Sequence, residues 1–142
     1  MSDILKLDHV GIAVKDLNGA IEVYERLGLK VAHQETVAAQ KVHTATLPLG
    51  DTKLELLEPT VPDSAVGKFL AANGEGVHHL ALHVDNLEEK LRELQEQGFR
   101  LIDETPRGGI GGTRVAFLHP KGTLGTLIEL VEHSNDSDHK GE

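Results

Sequence analysis

The chain has no cysteine and no tryptophan, and only one methionine and one tyrosine. Without cysteine there are no disulfides, no thiolate nucleophile and no thiolate metal site, so any bound metal takes nitrogen and oxygen ligands from His, Asp and Glu. One Tyr and three Phe leave little to stack on nucleobases, and 14 basic residues against 23 acidic ones give a net charge of −9. Nucleic acid is therefore not an expected partner. A phosphorylated ligand is still compatible with that total, because local patches rather than the average field hold such ligands. Long apolar runs are missing too: 80–82 and 115–118 fall far short of the roughly 20 residues of a membrane-spanning helix. The start, Met1-Ser2-Asp3-Ile4, has no basic segment leading into an apolar stretch and a small-residue cleavage site, so the expected location is the cytoplasm, with no membrane contact. What is present, 142 residues of which 39% are hydrophobic, suits one compact domain with its own core.

Residues 6–14 read as a strand, and Asp16-Leu17-Asn18 opens a helix whose apolar positions Ala20, Ile21, Tyr24 and Leu27 run up to a stop at Gly28. Three more strands are expected at 30–35, 42–49 and 53–58, the last two joined by the tight-turn sequence Gly50-Asp51-Thr52. This unit reads βαβββ. A connection follows with a short helix at 64–72 ending at Asn73-Gly74, and then the order restarts. A strand is expected at 77–84, a helix opening at Asp85-Asn86-Leu87 with Leu91 and Leu94 on its apolar face, and a stop at Gly98. The second half continues with a strand at 100–103, the loop Gly108-Gly109-Ile110-Gly111-Gly112, and strands at 113–118 and 127–132. The expected organisation is a single α+β domain: module 1 at about 5–59, a linker at 60–75, module 2 at about 76–133, and a frayed polar tail at 134–142.

One offset relates the halves. Ile12/Leu82, Val14/Val84, Asp16/Asn86, Leu17/Leu87 and Gly28/Gly98 are all 70 residues apart. Self-similarity over that length indicates a duplicated supersecondary unit, and a βαβββ unit alone cannot bury both faces of its sheet. The two modules are expected to pack about a pseudo-twofold axis around one cleft, with helices outside. Under the offset of 70, His9 matches His79 in the first strand of each module. The last strands align at an offset of 74, which matches Glu55 with Glu129, the four extra residues being assigned to the turn at 120–125.

Glu55 and Glu129 are flanked by large apolar residues, and a buried carboxylate costs several kcal/mol unless a cation or partner meets it. Two imidazoles and two carboxylates make a site suited to one Co, Mn, Ni, Fe or Zn ion, with positions open to substrate. Taken singly, each of the four reads as an ordinary core histidine or a strand glutamate facing water; the matched pairs argue for ligands. His78 aligns with Asp8 and is expected to point to the opposite face of its strand, although a doubled His leaves a one-residue ambiguity. His33, His43, His83, His133 and His139 have no matching partner and read as surface or strand-face residues. His119-Pro120-Lys121, the glycine loop with Gly111 and Gly112, and Arg107 suggest either a basic lip for a ligand or plain turns.

Several motifs resemble the vicinal oxygen chelate superfamily and, within it, the bacterial methylmalonyl-CoA epimerases: Leu7-Asp8-His9-Val10-Gly11-Ile12-Ala13, Thr52-Lys53-Leu54-Glu55-Leu56-Leu57-Glu58-Pro59, Gly74-Glu75-Gly76-Val77-His78-His79-Leu80-Ala81, Phe117-Leu118-His119-Pro120-Lys121 and Leu127-Ile128-Glu129-Leu130. The resemblance covers nearly the whole chain. It implies paired βαβββ modules around one divalent metal, with cobalt expected and manganese, nickel or zinc as alternatives. His9, His79, Glu129 and Glu55 would be the ligands, and a homodimer acting on methylmalonyl-CoA is implied. The chemistry would be proton transfer at C2 through an enolate, with Glu55 and Glu129 as candidate bases. Many such epimerases carry a third-strand Glu as base where Thr44 stands here, and Gln where Glu55 stands. Glyoxalase I shares the His, Glu, His, Glu order and is the rival enzyme; a metal-free antibiotic-binding protein of the same fold is the rival of another class.

Overall fold

The structure, a computed structural model, describes residues 1–134; the expected tail from 135 on and His139 lie outside them. In chain order the elements are β1 (Ile4–Ala13), α1 (Leu17–Arg26), β2 (His33–Val37), β3 (Val42–Leu49), β4 (Thr52–Pro59), α2 (Ala65–Asn73), β5 (Gly76–Val84), α3 (Leu87–Glu96), β6 (Arg107–Gly108), β7 (Arg114–Leu118) and β8 (Ile128–Glu132), with short 3-10 turns at Ala38–Gln40, Ile110–Gly112 and Pro120–Thr123. The chain is thus α+β and repeats βαβββ twice. Among the described residues no helix is long and apolar enough to cross a membrane.

The chain divides into two compact units: a first of His9–His78, and a second of Met1–Asp8 with residues from His79 onward. In the first unit the strand order is β2-β3-β4-β1, with β4 parallel to β1 and antiparallel to β3. Leu17 of α1 packs with Ala45, Leu47 and Leu56 on one sheet face, and Ile12, Ala20, Ile21 and Tyr24 close around them. In the second unit the order is β6-β7-β8-β5, with β8 parallel to β5. There Leu87 and Leu91 of α3 pack with Val84, Ala116, Leu118 and Leu130, each fully buried leucine contributing about 2 kcal/mol of transfer free energy. The same spatial order in both units is what a duplicated module predicts.

Local chemistry sets the helix ends. The Asn86 side chain caps α3 by accepting from Glu89 N–H at 3.1 Å, and its side-chain NH2 donates to the Glu89 carboxylate at 3.2 Å. Ser64 caps α2 by accepting from Gly67 N–H at 3.0 Å. Gly28 and Gly98 take φ of 108° and 90°, the left-handed region that only glycine enters freely.

Three expectations shift. The strand expected at 30–35 begins later, at His33, because Leu29 and Val31 turn onto the α1 cluster. The strand expected at 100–103 does not form; only Leu101 bridges to Leu118. The Asp103 carboxylate takes the Phe117 N–H at 2.9 Å, and Ile102 and Asp103 both donate to the Phe117 carbonyl, so a side chain replaces the ladder. Pairing resumes at Arg107 opposite Val115, past Pro106, which has no N–H to give. Finally, Glu55 pairs with Thr46 and Glu129 with Phe117, so β3 and β7 stand 71 apart. Three of the four extra residues lie between β7 and β8, and one lies before β7.

Candidate metal centre

Strand parity decides which side chains leave the helix-covered face. On β4, Leu54 and Leu56 alternate with Lys53, Glu55 and Leu57. Glu55 pairs with Gly11 on β1 and Thr46 on β3, so His9, Gly11, Glu55, Thr46 and Thr44 share the face opposite α1. The second unit repeats this: Glu129 pairs with Ala81 on β5 and Phe117 on β7, placing His79, Ala81, His83, Glu129 and Phe117 on the face opposite α3. Gly11 and Ala81 are themselves 70 apart, so each glutamate stands beside the residue two places after its matched histidine.

The consequence is one buried His–Glu pair per unit. Nδ1 of His9 lies 3.3 Å from Oε1 of Glu55, and Nε2 of His79 lies 3.2 Å from Oε1 of Glu129. All four residues are 5% exposed or less. Placing a carboxylate and an imidazole together out of water is costly without a cation or an added proton to balance them. The donor set, nitrogen and oxygen only, fits a transition-metal dication.

Around these pairs the structure adds Phe117 as a site neighbour and shows where Arg107, Thr44 and His78 lie. The Phe117 ring meets the His79 imidazole edge to face at 5.4 Å between centroids, fixing the ring plane. The Arg107 guanidinium sits over the Phe117 ring, 5.4 Å from its centroid, and its Nε lies 3.4 Å from Asp103. The register partner of Glu129 is Phe117, so an antiparallel alignment of the last two strands was the available signal. Thr44 is fully buried, and its hydroxyl donates to the Glu35 carbonyl at 3.2 Å. That position holds a group that does not titrate near neutral pH. His78 turns the other way from His79 and packs edge-on against Phe69 at 5.1 Å.

The remaining candidates fall at two ends of β7. Gly111 and Gly112, with φ of 71° and 75°, shape the loop before β7, near Arg107. His119 and Lys121 follow its far end, about 13 Å away at roughly 3.3 Å per residue. Nδ1 of His119 accepts from the Lys121 N–H at 3.1 Å, and His119 N–H donates to the Arg100 carbonyl. Desolvation, with the nearby charges of Arg100 and Lys121, holds the His119 imidazole below the usual histidine range. Positive charge at this turn therefore comes from Arg100 and Lys121 rather than from His119.

Residues 8–117 match the glyoxalase/bleomycin resistance protein/dioxygenase superfamily. The uncharacterized protein YqjC of Bacillus subtilis (strain 168) is 45% identical over 138 residues, 96% of this chain and 99% of that protein. The mitochondrial methylmalonyl-CoA epimerase of Homo sapiens is 38% identical over 129 residues, 89% of this chain and 73% of that protein. The solved structure of a methylmalonyl-CoA epimerase in complex with methylmalonyl-CoA and NH4+ superposes with a TM-score of 0.89 at 41% identity, over 93% of this chain and 96% of that one. This chain belongs to the glyoxalase/bleomycin resistance protein/dioxygenase superfamily and, within it, to the family of the methylmalonyl-CoA epimerases.

Proposed function

We propose that this chain is a methylmalonyl-CoA epimerase, interconverting the R and S forms of the thioester by proton transfer at C2, with one divalent metal ion held by His9, Glu55, His79 and Glu129. The observation that carries the reading is repetition: the same buried His–Glu pair at the same register in each module. Cobalt is the expected ion, with manganese, nickel and zinc as alternatives that the same donors accommodate. When bound, the ion supplies Lewis-acid stabilisation of the negative charge that develops on the thioester oxygen.

The chain's own residues move the proton. Epimerisation removes a proton from one face of C2 and returns one to the other, so two groups must serve as base and acid in turn. Glu55 and Glu129, one from each module, are the buried carboxylates of the matched pairs. Thr44, its hydroxyl directed to a backbone carbonyl, offers no carboxylate at the third-strand position. In this reading both glutamates are ligands and proton carriers. Phe117 packs edge to face on His79, a contact that would hold the imidazole plane when His79 binds the ion. We assign the CoA portion to Arg107, Gly111 and Gly112 at one end of β7 and to His119 and Lys121 at the other. A cytoplasmic location and a homodimer complete the reading, the homodimer resting on likeness to the family alone.

The test is to incubate the metal-loaded chain with a single methylmalonyl-CoA epimer in deuterated water. Deuterium at C2 together with loss of stereochemical purity is the expected result. A chain that produces neither overturns the assignment.

A further inference from the structure

The second unit carries a cluster that the matched pairs do not explain. Asp8, His83 and His133 bring ligand atoms within 4.8 Å of one another. Nε2 of His133 lies 2.6 Å from Oδ1 of Asp8, and the His83 and His133 rings meet at 4.5 Å between centroids with 77° between their planes. Asp8 is 4% exposed, whereas the His133 side chain keeps 32% of its surface. The carboxylate is withdrawn from water, His133 contacts it, and His83 stands against the His133 ring.

The two imidazoles of this cluster stand apart from the His79–Glu129 pair. His83 lies four residues beyond His79 along β5, and His133 lies four beyond Glu129 along and just past β8. At roughly 3.3 Å per residue each step is about 13 Å, too far for one ion to use both sets. Duplication is not its origin either. At the offsets of 70 and 74, His83 and His133 map onto Ala13 and Pro59, which have no ligand atom, and Asp8 maps onto His78. Module 2 has acquired two imidazoles that module 1 lacks, both with a ligand atom within 4.8 Å of one carboxylate.

We propose that Asp8, His83 and His133 form a second divalent-metal site, of two nitrogens and one oxygen with its other positions open to water. Imidazole pairs favour zinc, nickel, copper or cobalt over magnesium and calcium. Bond lengths of about 2.0–2.2 Å to such an ion set neighbouring ligand atoms about 3 Å apart. Asp8 and His133 are 2.6 Å apart, and His83 brings a ligand atom within 4.8 Å of both. The competing account is an ion pair that only ties Asp8 to the end of β8, and the variants below separate the two.

The test uses the full chain, stripped with a chelator and titrated with zinc, with bound metal counted by elemental analysis after desalting. The wild-type chain is expected to retain one more ion than the His83→Ala/His133→Gln variant. Gln at position 133 can still donate to Asp8, so the variant is expected to melt cooperatively. His83→Ala alone leaves the Asp8–His133 contact intact and is expected to weaken zinc binding at this site at least tenfold by calorimetry. Equal metal counts in wild type and double variant, or unchanged zinc affinity in His83→Ala, overturns the proposal. Because the readout is a difference between chains that all keep His9, Glu55, His79 and Glu129, it stands whether or not the epimerase reading does.

Discussion

Replacing Glu132 by Gln leaves the shape of a fully buried side chain almost unchanged but removes a charge and one acceptor. In the folded chain Oε2 of Glu132 accepts from Leu87 N–H at 2.9 Å, at the open N-terminus of α3, and Oε1 accepts from the Arg114 guanidinium at 2.9 Å. A glutamine has one oxygen for these two donors, so its NH2 must face either the Leu87 amide or the guanidinium. A charge-assisted bond contributes about 1.5–3 kcal/mol. Arg114 is 40% exposed and also reaches Glu88 at 3.1 Å, so solvent screening puts the loss at the lower end, about 2 kcal/mol. With an unfolding entropy of about 2.1 cal/mol/K per residue, a chain this size loses roughly 3 °C of Tm per kcal/mol, hence about 7 °C. Scanning calorimetry of Glu132→Gln measures this directly, and native-state exchange of the Leu87 amide reports the cap itself. A variant melting within about 2 °C of wild type would show that water replaces the lost acceptor and would refute the reasoning.

In the active-site reading, Glu129→Gln should slow C2 proton exchange at least about 100-fold; a variant that keeps its metal and exchanges at the wild-type rate removes Glu129 from the mechanism. Burial opposes ionisation of Asp85, but the N–H groups of Asp3, Asp85 and Asn86 and the Ser2 hydroxyl outweigh it and hold the carboxyl below its ordinary value. Its contribution to stability is therefore present above the unfolded pKa and lost as pH falls through the folded one. The Tm gap between wild type and Asp85→Asn should narrow from about pH 5 downward, and a gap that stays constant with pH contradicts this. Ser64→Ala removes the α2 cap and should cost about 1 kcal/mol in urea unfolding. Gly67→Ala should be at least as damaging, because its Cβ would lie 2.4 Å from the Pro62 carbonyl oxygen; a neutral result would mean the 62–67 backbone yields.

The helices and their stops were legible because their signals are local: the apolar spacing of Leu87, Leu91 and Leu94, the Asn86 cap, the left-handed Gly98. The matching of His9 with His79 and of Glu55 with Glu129 was legible for a different reason. Duplication preserves register, so one sequence offset carries a three-dimensional relation from one module to the other. The stretch from Arg100 to Gly108 was not legible, since it turns on the Asp103 side chain capturing the Phe117 amide rather than on any apolar pattern. The role of Phe117 beside His79 was hidden because an aromatic in a strand reads simply as core. Asp8 and His133, 125 residues apart and unmatched in module 1, leave no local or repeated trace.

Ser2 is buried, with its N–H donating to Glu93 at 2.7 Å and its hydroxyl to Asp85 at 2.9 Å, so the opening residues belong to the unit built from the end of the chain. On the ribosome this separates making from folding. The His9–His78 unit has all its residues while residues 2–8 still have no partners. At roughly 5–20 residues per second, the segment containing the exposed Ile4 and Leu5 waits several seconds for α3 to emerge. For that interval the nascent chain presents an unpaired apolar strand, the state in which chaperone capture or pairing with another chain competes with its own completion.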